Sequence, residues 1–115
     1  MATNMEETLS LLRKFTEERN WDQFHNPKDL SIAISVEASE LLELFLWNSP
    51  TAVREENIKR ELADVLIYCF LLSQKFNFDI FEIVSHKIKE NAEKYPVELA
   101  KGNSKKYTDL KNDSI

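Results

Sequence analysis

Four acidic residues sit in stretches that are otherwise apolar. Glu37 and Glu40 lie in SVEASELLELFLW (35–47), and Glu61 and Asp64 lie in RELADVLIYCFLL (60–72). At ~100° per residue of helix, Glu37 shares a side with Leu30, Ala33, Leu41 and Leu44, in the middle of an apolar stripe. Glu40 follows one turn on, where the two side chains are neighbours. Glu43 falls further round, towards solvent. The same construction puts Glu61 among Ile58, Val65, Tyr68 and Leu72, with Asp64 beside it. Four carboxylates from two consecutive helices therefore point towards an interior.

A carboxylate taken out of water without a partner is costly, and a second one beside it raises the cost. Such groups must be protonated, paired with bases, or gathered around a cation. Lys and Arg are scarce on the two facing stripes, so side-chain pairing falls short. An all-oxygen ligand set suits a hard divalent cation, Mg²⁺ first and Mn²⁺ as a substitute. A single Glu pair at this spacing is most simply a solvated helix face. Two pairs, both in mid-stripe and on consecutive helices, fit that plain reading poorly. A di-iron bundle needs Glu-x-x-His on two helices, and neither His25 nor His86 has a Glu three residues before it.

Four helices are readable around these acids. The first runs from about Asn4 to Asn20, with Asn4 as its cap and Glu7 three residues on. A linker, WDQFHNPKD, leads to Asn26 as the next cap and Pro27 at the first helical position, and this helix runs to about Trp47. In NSP, Ser49 and Pro50 repeat the device and predict a third helix as far as Phe76. Asp79 with Glu82 caps the fourth, which stops at Tyr95 because the residue before Pro96 is pushed out of helical geometry. A short helical turn and a polar tail, about 101–115, complete the chain. The expected fold is all-α: a four-helix bundle forming one domain over residues 1–115.

The bulk numbers agree. A length of 115 residues suits one domain, and 43% hydrophobic residues mark a globular chain. One Gly and three Pro are too little punctuation for a many-stranded fold. A net charge of −5 argues against non-specific binding to nucleic acid or an anionic membrane. Cys69 is the only cysteine, which excludes an intramolecular disulfide and suits a core position; His86 reads as surface or interface. The first ten residues show no basic region followed by an apolar run, and no apolar stretch approaches membrane-spanning length. A cytoplasmic protein is expected. Leu42 and Leu46, with Leu66 and Phe70, lie opposite the acidic stripes, so both helices are apolar nearly all round. Helices of that kind need partners on two sides, which predicts an oligomer.

WDQFHNPKDL, VEASELLELFLW, ELADVLIY and ENAEKYPVELAKGNSKKYTDL, in this order, resemble the MazG-like nucleoside triphosphate pyrophosphohydrolases, and among them the small dCTP pyrophosphatase branch. The family pattern is E-x-x-[ED], a spacer, then E-x-x-D; here it is Glu37 and Glu40, twenty residues, then Glu61 and Asp64. The resemblance spans about 21–110. It implies hydrolysis of a nucleoside triphosphate to the monophosphate and pyrophosphate, with Mg²⁺ held by Glu37, Glu40, Glu61 and Asp64. Glu40, at the edge of its stripe, would be the carboxylate that takes a proton from the attacking water. By the same resemblance, Trp21, His25, Trp47 and Tyr68 would surround the base. Asn91 and Lys94 would contact phosphates, as would Lys105 and Lys106, reaching a neighbouring subunit. A solvated tail is the alternative for at least one of these two lysines, and helix-end core positions are the alternative for the two tryptophans. The position that is polar in the middle of helix one of close relatives is Leu12 here, which leaves the base preference open. The implied assembly is a dimer, or a dimer of dimers, with active sites at subunit boundaries.

The reading from this sequence is therefore a Mg²⁺-dependent pyrophosphohydrolase acting on dCTP or a modified analogue, cleaning the nucleotide pool. The alternatives are a non-catalytic helical oligomerisation or metal-binding module, or a related hydrolase of dUTP or of a phosphoribosyl nucleotide.

Overall fold

The computed structural model describes residues 4–102, 104 and 108, and among these every regular element is helical. Five α-helices follow in order: α1 Met5–Glu18, α2 Pro27–Leu46, α3 Glu55–Lys75, α4 Ile80–Lys94 and the single turn α5 Val97–Ala100. Two 3₁₀ turns, Trp21–Phe24 and Pro50–Ala52, lie in the connections before α2 and α3. No helix among the described residues is long and apolar enough to cross a membrane.

The helix starts follow from capping chemistry. Asn4 Oδ1 accepts from the Glu7 N–H at 2.8 Å, and Asn26 Oδ1 accepts from the Asp29 N–H at the same distance. Asp79 Oδ1 accepts from the N–H groups of both Phe81 and Glu82 at 3.2 Å. Each bond satisfies a first-turn donor that has no partner inside its helix.

The third helix departs from the sequence expectation. It starts at Glu55, not at Pro50, because Ser49 does not cap: its hydroxyl pairs with the Thr51 hydroxyl at 3.2 Å. The chain makes one 3₁₀ turn and then extends through Val53 and Arg54, with ψ of 132° and 128°. β-Branched Thr51 and Val53 weaken any attempt to start a helix there.

The chain divides into two compact units, Met1–Phe78 and Asp79–Ile115. Within the first, α2 and α3 pack on each other as a helical hairpin, and Leu30 and Leu71 are its buried apolar side chains among the described residues. The turn at Trp21–Phe24 is fixed from two sides. Asn20 enters it in the left-handed conformation (φ 52°), which asparagine tolerates better than most residues. Lys75 Nζ, from the end of α3, pairs with Asp22 Oδ1 at 3.1 Å and donates to the Asp22 carbonyl at 3.1 Å. Trp21 meets the Phe15 ring edge-on at 5.5 Å. In the second unit, α4 carries Glu90, whose carboxylate pairs with Lys87 at 3.2 Å and Lys94 at 3.4 Å. Those two lysines hold the Glu90 carboxyl below the usual range.

Candidate active site

The α2–α3 hairpin brings the two acidic pairs together. Glu37, Glu61 and Asp64, all half-buried, place carboxylate oxygens within 4.8 Å of one another. Their neighbours on the same stripes, Ala33, Leu41, Leu44, Ile58, Val65, Tyr68 and Leu72, are half-buried too, as helical periodicity requires of one shared face. Glu40 is exposed at the edge of the cluster, with its carboxyl within hydrogen-bonding reach of both Glu37 and Glu61. Glu43 is exposed.

The electrostatics of this arrangement are adverse. Burial, then the hydrogen bond and charge of Glu40, then Asp64 and Glu61, push the Glu37 carboxyl up to about 7. Burial and the charges of Glu40 and Asp64 raise Glu61 as well, with Arg60 pulling weakly the other way. Glu37 Oε2 and Glu61 Oε2 are cut off from solvent and meet no hydrogen-bond donor among the described residues. Buried carboxylate oxygens are seldom left in that state. Several of them converging without donors is the ligand set a hard divalent cation requires, so the residues present fit such an ion.

An open cleft of about 590 Å³ adjoins the cluster. Its polar lining is Glu40, Glu43 and Glu61 together with Asn48, Arg54 and Asn57. These last three come from the α2–α3 connection and the first turn of α3. Sequence reasoning missed them because their position depends on where α3 begins.

The sequence pattern of the MazG-like family matches residues 32–110. The chain belongs to the MazG-like family. It is 37% identical over 119 aligned residues to mouse (Mus musculus) dCTP pyrophosphatase 1, with 96% of this chain and 70% of the mouse protein covered. The human (Homo sapiens) dCTP pyrophosphatase 1 is 36% identical over the same coverage. A crystal structure of a pyrophosphatase from Archaeoglobus fulgidus superposes with a TM-score of 0.76 at 38% identity, covering 84% of this chain and 95% of that one. Relatives by sequence and by structure are thus pyrophosphatases, in agreement with an enzymatic reading of this MazG-like chain.

The other candidate residues of this MazG-like chain lie at several places. Tyr68 is half-buried on α3, one turn beyond Asp64. Trp47 ends α2 and is 89% exposed. Trp21 and His25 belong to the turn that Lys75 holds, about 16 Å along α3 from Asp64 at ~1.5 Å per residue. His25 there lines a separate cleft of about 380 Å³ with Arg13, Asp22, Gln74 and Lys75. Asn91 and Lys94 lie on α4, in the second unit. Lys105 and Lys106 fall outside the described residues. Leu12 is half-buried on α1, Cys69 is half-buried with its thiol pushed up by burial, and His86 is exposed on α4.

Proposed function

We propose that this protein hydrolyses a deoxynucleoside triphosphate, dCTP or a modified cytosine analogue, to the monophosphate and pyrophosphate with Mg²⁺ as cofactor. The observation that carries this is the convergence of Glu37, Glu61 and Asp64, two of them with buried oxygens that meet no donor, in a MazG-like chain. The substrate class rests on the relatives named dCTP pyrophosphatase.

Glu37, Glu61 and Asp64, with Glu40 at the rim, would hold the divalent ion. An ion bound there supplies positive charge against the triphosphate and acidifies the adjacent water. Glu40 is the residue to accept the proton from that water, because its carboxyl is exposed and still within reach of the cluster. Tyr68, one turn beyond Asp64, and Trp47, at the end of α2, offer flat faces to a base from either side of the acids along the hairpin. Trp21 and His25, tied to the far end of α3, serve a base most simply across a subunit boundary. Asn91, Lys94 and Lys106 are phosphate donors on the same reading. The assembly is therefore a homodimer or homotetramer, and its task is removal of unwanted nucleotides.

Chromatographic product analysis with each dNTP, with and without Mg²⁺, tests the reading. Monophosphate and pyrophosphate in equal amounts, formed only with Mg²⁺ and fastest from a cytosine nucleotide, are the expected products. Diphosphate plus phosphate, or no turnover of any nucleotide, overturns it.

A further inference from the structure

The cleft beside the acidic cluster contains a feature that the cluster does not explain. Of its described lining residues Arg54 is the one cation, and it sits at the start of α3, seven residues before Glu61 or about 10 Å along the helix at ~1.5 Å per residue. Asn48 and Asn57 flank it, and neither amide side chain bonds another described residue. Arg54 is not held elsewhere: its one ion pair, to Glu56 at 3.5 Å, joins side chains that are 77% and 76% exposed. Such surface pairs contribute little and exchange readily. No side chain caps α3, although the N–H groups of Asn57 and Ile58 donate to the Arg54 carbonyl at 3.0 and 3.3 Å. These positions follow from the extended backbone at Val53 and Arg54, which stops α3 from continuing back to Pro50.

A linear polyphosphate lying along this cleft meets two different linings in succession. The acids repel it wherever no cation intervenes. Towards the start of α3 the lining offers a guanidinium, whose planar fork matches phosphate oxygens in pairs, and two carboxamides that donate N–H. We propose that Arg54, supported by Asn57 and Asn48, is a substrate-binding group that anchors the outer phosphates of the triphosphate, the part that leaves as pyrophosphate. This rests on the pyrophosphohydrolase reading above and adds to it a specificity for chain length: triphosphates are held at both ends, monophosphates at one. Product dCMP leaves easily on this arrangement, because it does not reach Arg54.

Steady-state kinetics on the full chain, with Arg54→Gln and Arg54→Lys beside the wild type, test the assignment. Arg54→Gln should raise KM for dCTP about tenfold or more, the loss typical of a charge-assisted phosphate contact. Calorimetric affinity for inorganic pyrophosphate should fall by the same factor, inhibition by dCMP should stay unchanged, and Arg54→Lys, which keeps the charge without the fork, should recover only part of both. An unchanged KM and pyrophosphate affinity in Arg54→Gln overturns the assignment, as does an equal loss of dCMP binding. Wild-type protein that leaves every triphosphate intact sinks the underlying reading instead, and the pyrophosphate titration then decides on Arg54 alone.

Discussion

Glu37 shows how one side chain can work against the fold that contains it. Its carboxyl keeps a proton in the folded chain up to about pH 7, whereas an unfolded chain releases that proton in the ordinary carboxylate range. Between those limits the folded state binds more protons than the unfolded state, so stability falls as pH rises through the interval. The slope for one such group is at most about 1.4 kcal/mol per pH unit. Metal-free protein should therefore unfold at lower urea concentration at pH 8 than at pH 5, and added Mg²⁺ should reverse the trend by displacing the proton. Glu37→Gln mimics the protonated form. It should stabilise the metal-free protein at pH 8 by about 1–3 kcal/mol and abolish the response to Mg²⁺. A urea midpoint that does not change with pH would contradict this account of the cluster. The acids were legible in the sequence because a carboxylate in mid-stripe breaks an otherwise regular 3.6-residue pattern. Arg54, Asn48 and Asn57 were not, since they break no pattern and acquire meaning only from the path of the chain around them.

At the scale of elements, local chemistry announced some boundaries and concealed another. Asn4, Asn26 and Asp79 each accept the first-turn N–H that their residue type predicts. Ser49 carries the same promise in sequence, but its hydroxyl is taken by Thr51, and α3 begins five residues later than Pro50 suggests. The competition between two short side chains is invisible without coordinates. The Trp21–Phe24 turn likewise looks like plain linker in the sequence, because what fixes it is Lys75, more than fifty residues away. Lys75 is 26% exposed and Asp22 75%, so the pair is only partly shielded from water. Lys75→Met should cost about 0.5–1.5 kcal/mol in urea unfolding and shift tryptophan fluorescence as Trp21 loosens. A variant indistinguishable from wild type in both would show that the turn is held by Phe15 and Trp21 alone.

For the whole molecule, the described chain buries few apolar side chains completely. Leu42, Leu46 and Leu66 remain 57%, 51% and 44% exposed on the hairpin that carries the acids. Phe70, expected on the same face, is half-buried; the exposed leucines are the surface that the expected oligomer would cover. Sedimentation should find a dimer or larger assembly at micromolar concentration, and Leu42→Glu should shift it towards monomer with a lower melting temperature. A wild-type chain that sediments as a monomer would contradict shared active sites. Composition on two helix faces is enough to raise the expectation of assembly, whereas the relation of Trp21 and His25 to the acids leaves no such sign in the sequence. That relation depends on the third dimension of one chain and on its neighbours.

The central claim is that the gathered carboxylates are a metal-dependent hydrolytic centre. It is tested most directly by the rate of dCTP cleavage against Mg²⁺ concentration, for wild type beside Glu61→Gln. The account predicts saturable dependence on Mg²⁺ in the wild type and a loss of about 100-fold or more in a folded variant. Turnover without a divalent ion, or undiminished turnover in Glu61→Gln, would contradict it.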